Sequence, residues 1–173
     1  MMNYRIEQKP AFVLTGYYKH FSGSPGNRID QEEDFYTHTR ANQYLLDGLS
    51  EYPADKYNII TNIDDDGYDF YIAALIPDGI RPRLHEECVL GAEYADRFEH
   101  IEIPAQTYAI FETERAQFPV LHHMDLRRRA VSEWLPHSGY QLADAPEITL
   151  VHWYTKPNEH DRYIELWLPI TKA

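Results

Sequence analysis

One short run near the C-terminal end concentrates groups that could hold a small molecule: Tyr163-Ile164-Glu165-Leu166-Trp167-Leu168-Pro169. Its residues favour a strand, and a strand sends alternate side chains to opposite faces. Ile164, Leu166 and Leu168 then share one purely aliphatic face, expected to pack on helices. Tyr163, Glu165 and Trp167 share the other. A carboxylate between two aromatics is costly unless it is paired, hydrogen-bonded or partly wet. Two chemistries meet that condition. In one, Glu165 is the polar anchor of an aromatic-walled pocket that takes planar or cationic ligands by stacking and cation–π attraction. In the other, it is half of a structural ion pair, with Arg115 or Lys156 as partner, or lies on a simply solvated face. The neighbouring strand offers Trp153: if Ile148 and Leu150 are core, then Thr149, Val151 and Trp153 face the cleft. Tyr71, by the same alternation, and Tyr108 complete the candidate wall.

Other groups carry less. His122 and His123 are adjacent, so on a helix they point about 100° apart and do not share a face as two ligands of one metal would. Asp64-Asp65-Asp66-Gly67 lacks the spaced ligands and closing Glu of a calcium loop and reads as a hairpin turn. Arg127-Arg128-Arg129 reads as an exposed helix edge balancing nearby acids. The lone Cys88 has no surrounding nucleophile signature, and no phosphate-cradling Gly loop or nucleophile elbow occurs. No metal or other cofactor is expected.

The elements that must position these residues come as a repeat. Tyr71-Ile-Ala-Ala-Leu-Ile-Pro77 aligns with Tyr163-Ile-Glu-Leu-Trp-Leu-Pro169, and Ile6-Glu7 through Leu14 aligns with Ile101-Glu102 through Ile110 with one gap. Each half reads as strand, helix, strand, strand. The first half has a strand over 4–18 disturbed at Pro10, a helix from Asp30 with Glu33 in a capping-box pattern, and strands over 57–63 and 68–77. The second has strand segments at 98–103 and 106–112 flanking Pro104, a helix over 118–135 ended by Pro136 and Gly139, and strands over 147–154 and 162–170. The whole of 1–173 is one domain: repeat one about 3–77, a link over 78–97, and repeat two about 98–170. The fold class is α+β, a tandem pseudo-two-fold repeat of antiparallel sheet with helices on one face and a concave ligand groove. Position 165 in the second repeat corresponds to Ala73 in the first, so the fold itself does not need an acid there.

Composition narrows the partners. The chain has 173 residues, a formal net charge of −12, and 14 Tyr among its aromatics. A net negative chain has little means of neutralising phosphates, so direct nucleic-acid binding is not expected. With no signal peptide and no apolar run long enough to span a bilayer, the expected location is the cytoplasm, with no membrane partner.

The residues quoted above, together with Trp134-Leu-Pro-His-Ser-Gly-Tyr140 running into Asp144-Ala-Pro-Glu147, resemble the GyrI-like family, the effector-binding domain of AraC- and MerR-type bacterial regulators. The resemblance covers nearly all of 1–170. It implies a ligand groove with an acid from the final strand, which here is Glu165, and aromatic walls, which here are Tyr163, Trp167, Trp153 and Tyr71. It begins at Tyr4, without the helical DNA-binding region of such regulators, so a free-standing form is expected. The function implied is a sensor or sequestering protein for aromatic or cationic drug-like compounds, linked to transcription regulation, with a regulator or gyrase as a possible protein partner. One subset of the family hydrolyses cyclopropane-bearing alkylators, so a hydrolase using Glu165 is one alternative, and a gyrase-inhibitor-like protein-interaction module is the other.

Overall fold

The protein is described from a computed structural model, in which residues 2–25, 29–78 and 98–173 are placed. Cys88 and nearly all of the 78–97 link lie outside the described residues.

Pro10 ends the first strand because it has no N–H to give to a ladder. The expected single strand is therefore two, β1 (Tyr4–Lys9) and β2 (Phe12–Ser22). The first helical stretch is likewise two helices, α1 (Ile29–His38) and α2 (Arg40–Leu49). They part at Thr39, whose hydroxyl bonds back to the Phe35 carbonyl at 2.5 Å. Such back-bonding competes with the helical ladder. Asp30 lies inside the first turn of α1 rather than capping it. Strands β3 (Asp55–Thr61) and β4 (Gly67–Ala74) form a hairpin, with Asp64 Oδ1 accepting from the Asp66 and Gly67 amides in the turn.

In the second half β5 (Glu99–Ile103) and β6 (Gln106–Glu112) flank Pro104 as the sequence predicts. Helix α3 (Val120–Arg129) continues through a π-helical turn over Ala130–Trp134 and a 3-10 turn over Leu135–His137. A short strand β7 (Tyr140–Leu142), not expected from the sequence, precedes β8 (Glu147–His152) and β9 (Tyr163–Lys172).

Among the described residues all nine strands join one antiparallel sheet in the order β1-β6-β9-β8-β3-β4-β2-β5, with β7 beside β9. The order is palindromic about the central β8–β3 pair, so the two repeats are related by a pseudo-two-fold axis. They exchange arms: β1 of the first repeat pairs with β6 of the second, and β5 of the second pairs with β2 of the first. The helices cover one face in two clusters. Leu46, Phe70 and Ile72 pack beneath α1 and α2, with Phe35 against them. Leu126, Ala130, Leu166 and Leu168 pack at α3. The opposite face holds a third cluster of Leu14, Ile59, Ala73, Tyr108, Ile148 and Trp167. Both faces therefore bury apolar side chains, and this decides where a ligand could enter.

Candidate functional site

The central strands put alternate residues on the helix side. From β3 these are Lys56, Asn58 and Ile60, and from β8 Glu147, Thr149 and Val151, brought level by the ladder that pairs Asn58 with Thr149. The helices above them leave a gap along the pseudo-two-fold axis. The result is a groove of about 1450 Å³ whose floor is those two strands. Its walls are Glu32, Glu33 and Tyr36 of α1 on one side and Val120, Leu121 and Met124 of α3 on the other, with Trp153 at one end. Arg162 lies over the Trp153 ring, 3.9 Å from its centroid, and donates to the Tyr154 and Gln117 carbonyls at 2.6 and 3.1 Å. That cation–π contact fixes the indole in place.

Among the described residues each Arg or Lys of the groove has its own carboxylate. Arg127 Nε donates to both Glu147 oxygens at 3.1 and 3.2 Å, Arg128 meets Asp125 at 2.7 Å, and Lys56 meets Asp47. Among the described residues neither Glu32 nor Glu33 has a cation in ion-pair contact. Glu32 accepts from the buried Tyr68 hydroxyl at 3.1 Å. Burial pushes the Glu32 carboxyl up, the Tyr68 bond opposes this, the nearby Glu147 carboxylate adds to it, and the charge of Arg127 draws it back. His123, bonded to Thr149 at 3.3 Å, is lowered to about 4 by burial and by Arg127, and is neutral at pH 7. Tyr36 donates to Asn58 Oδ1 across the groove floor. The site thus combines apolar and aromatic surface with an excess of negative charge, a combination that suits an organic cation.

Of the six residues expected to meet a ligand, Trp153 alone lines this groove. The reason is register. Leu150 opposes Glu165, and Val151 opposes Ile164. The Thr149-Val151-Trp153 face is therefore continuous with the aliphatic face of β9, not with the Glu165 face, because directly opposed residues share a side of the sheet. The expected face is correct along each strand, and the expected joining of the two is corrected by one residue of pairing.

On the far face Glu165 is 6% exposed and fully engaged. Arg5 Nη2 donates to it at 2.7 Å, the Trp167 indole at 3.3 Å, and His152 Nε2 lies 3.5 Å away. Burial works against its charge, but His152, Arg5 and Trp167 outweigh burial and hold it down at about 2. The ion-pair partner is Arg5 rather than Arg115 or Lys156. Arg115 instead lies over the Tyr163 ring at 3.3 Å, with His152 stacked on the same ring at 4.1 Å. Tyr108 and Trp167 belong to the buried core of that face, and Tyr71 stacks on Tyr18 at 5.0 Å. Glu32, Tyr36, Lys56 and Glu147 escaped the sequence reading. For Glu147 a signal existed, since alternation backwards from Trp153 through Val151 and Thr149 reaches it.

A family model described as the integron-associated effector-binding protein matches residues 5–170. No curated protein is detectably similar in sequence. Among solved structures, a protein of Staphylococcus aureus MU50 named for transcription regulation superposes with a TM-score of 0.70 at 15% identity, over 99% of both chains. SAV2435 bound to tetraphenylphosphonium gives 0.69 at 16% identity, over 98% of this chain and 94% of that one. An integron cassette protein of Vibrio cholerae gives 0.61 at 14% identity, over 97% and 95%. Among the described residues no helix is long and apolar enough to cross a membrane. With its paired strand-helix-strand-strand units, its single sheet and a family match across nearly its whole length, this chain belongs to the integron-associated effector-binding proteins and carries the GyrI-like fold.

Proposed function

We propose that the groove between α1–α2 and α3 binds a lipophilic or planar organic cation, and that the chain serves transcription regulation as a sensor or a sequestering protein for such compounds. The observation that carries this reading is the charge balance of the groove. Among the described residues its Arg and Lys side chains are already paired, while Glu32 and Glu33 of α1 have no cation in ion-pair contact; Glu32 stands with Tyr36 on the α1 wall, and Trp153 closes the groove at the far end from Glu147. A cation stacked on Tyr36 exchanges its water shell for an aromatic face and a partly desolvated carboxylate, and Trp153 lines the same groove. The fold neighbour solved with tetraphenylphosphonium supports the choice of probe.

Tetraphenylphosphonium titrated against the chain, read by tryptophan fluorescence, tests it. Quenching that disappears in Trp153→Phe is expected. Glu32→Gln is expected to weaken binding about tenfold, the ~1.4 kcal/mol of one partly desolvated charge contact. Loss of binding in Glu165→Gln, with full binding kept in Glu32→Gln, would move the ligand to the opposite face of the sheet and overturn the groove assignment.

A further inference from the structure

A single lysine lines the groove. Lys56 stands on the floor face of β3 opposite Val151, and its side chain is 11% exposed. Its Nζ meets the Asp47 carboxylate of α2 and lies 3.5 Å from the Pro53 carbonyl. Val151, Trp153, Pro53 and Ala54 make this end of the groove mostly apolar. Lys9, Lys19, Lys156 and Lys172 do not line the groove.

We infer that Lys56 is a covalent capture site, at which aromatic aldehydes entering the groove condense with Nζ to form a reversible imine. This deepens the reading of the groove as the ligand site and rests on it. Three features that favour imine formation meet here. The amine faces a cavity large enough for an aromatic ring, an indole stands beside it to stack that ring, and a carboxylate is placed to move its proton. Burial lowers the ammonium to about 8.

The steps balance. Asp47 takes one proton from the Lys56 ammonium. The freed lone pair forms the C–N bond to the aldehyde carbon as the carbonyl π pair moves to oxygen, and that oxygen takes a second proton from the nitrogen. Asp47 then returns its proton to the hydroxyl, water leaves, and the remaining nitrogen pair closes the protonated imine. One water is released, and net charge and oxidation state are unchanged.

The test is reductive trapping on the intact chain. Benzaldehyde, and separately its 4-trimethylammonio derivative, are incubated with the protein and cyanoborohydride at pH 7, and the label is mapped by mass spectrometry after digestion. Label at Lys56 is expected to exceed that at each of Lys9, Lys19, Lys156 and Lys172 by at least about tenfold. Lys56→Arg is expected to remove that label without altering the other four. Because the four remaining lysines are internal controls, the wild-type map alone decides the matter even if the variant fails to fold. Even labelling of all five, or label at Lys56 no faster than at Lys19, overturns the inference. Tetraphenylphosphonium binding without labelling at Lys56 leaves the cation reading standing and removes this one. Labelling at Lys56 without cation binding does the reverse.

Discussion

The two halves of the sheet carry opposite chemistry at matched positions. Across the pseudo-two-fold axis the ladders make Ala73 the counterpart of Glu165, Gly16 of Glu112, Ile101 of Arg5, Ile59 of His152, Ile148 of Asp55, and Ile103 of Glu7. On one side a chain of charges crosses the strands. Asp55 meets His152 at 3.0 Å, His152 approaches Glu165, Glu165 meets Arg5, and Arg5 meets Glu7 and Glu112 at 2.5 and 3.0 Å. On the other side Ile148, Ile59, Ala73 and Ile103 are buried core, with Ile101 packed against them. The same backbone therefore tolerates either solution. The apolar copy needs no partners, whereas the charged copy needs every one of its partners, because each buried charge is stable only while neighbours compensate its lost hydration. The difference also shows in backbone spacing. At Gly16 an added Cβ would stand 2.2 Å from the Ile72 carbonyl oxygen, while its counterpart Glu112 carries a full side chain.

The harshest way to break this comparison is to put the acid into the apolar copy. Ala73→Glu places a carboxylate among Ile59, Ile101 and Ile148 with no arginine in the Ile101 position. Such a variant is expected to lose about 4 kcal/mol or more of unfolding free energy, as an uncompensated buried charge does. Chemical denaturation of the folded fraction measures it. Wild-type stability in Ala73→Glu would mean that the apolar copy can hydrate or pair a charge, and the contrast between the halves would vanish.

Next in size is removal of one partner from the charged copy. Arg5→Met leaves Glu165 with His152 and Trp167 alone. The expected cost is about 2–3 kcal/mol, somewhat below the range for a fully buried pair because the Arg5 side chain is 40% exposed. The double variant Arg5→Met with Glu165→Ala moves towards the apolar solution, and its loss should fall short of the sum of the two single losses by about 1 kcal/mol or more. Simple additivity would show that Arg5 and Glu165 do not stabilise one another.

Much of this organisation can be read from the residues alone, and the part that cannot is non-local. The alignment of Tyr71–Pro77 with Tyr163–Pro169 carries the repeat, because each run must supply the same strand beside the same central ladder. Strand alternation assigns Ile164, Leu166 and Leu168 to the helix side, where Leu166 and Leu168 pack beneath α3 and Ile164 lines the groove. What alternation cannot do is join two strands. The pairing of Leu150 with Glu165 decides that Trp153 and Glu165 lie on opposite faces, and a shift of one residue would reverse it. A strand buried on one face only would have betrayed its register by its polar side. Here both faces bury apolar groups, and the pattern is silent. The exchange of β1 and β5 between the halves is equally hidden, since pairings between residues far apart in the chain, such as Tyr4 with Phe111 and Gly16 with Glu99, decide it. Glu32 and Lys56 entered the groove for the same kind of reason: α1, α2 and β3 converge only in the folded chain.

The gentlest probe of the charged copy is pH. Burial opposes the charge on His152, but Asp55 and Glu165 outweigh burial and raise it from its ordinary range to about 9. A group whose folded pKa lies above its unfolded value contributes stability that is fully present below the unfolded pKa of about 6.5, and that stability is lost as pH rises through the folded one. Unfolding free energy should therefore decline between about pH 6.5 and pH 9, by about 2 kcal/mol once coupling to Glu165 and partial hydration are allowed for. Replacing His152 by Ile, the residue at the matched position 59, should flatten that decline. Denaturation curves at pH 6.5 and 9 for both chains decide it. An equal slope in wild type and His152→Ile would show that the imidazole carries no charge in the folded state, and would cut the link between Asp55 and Glu165 on which the contrast with Ile148, Ile59 and Ala73 depends.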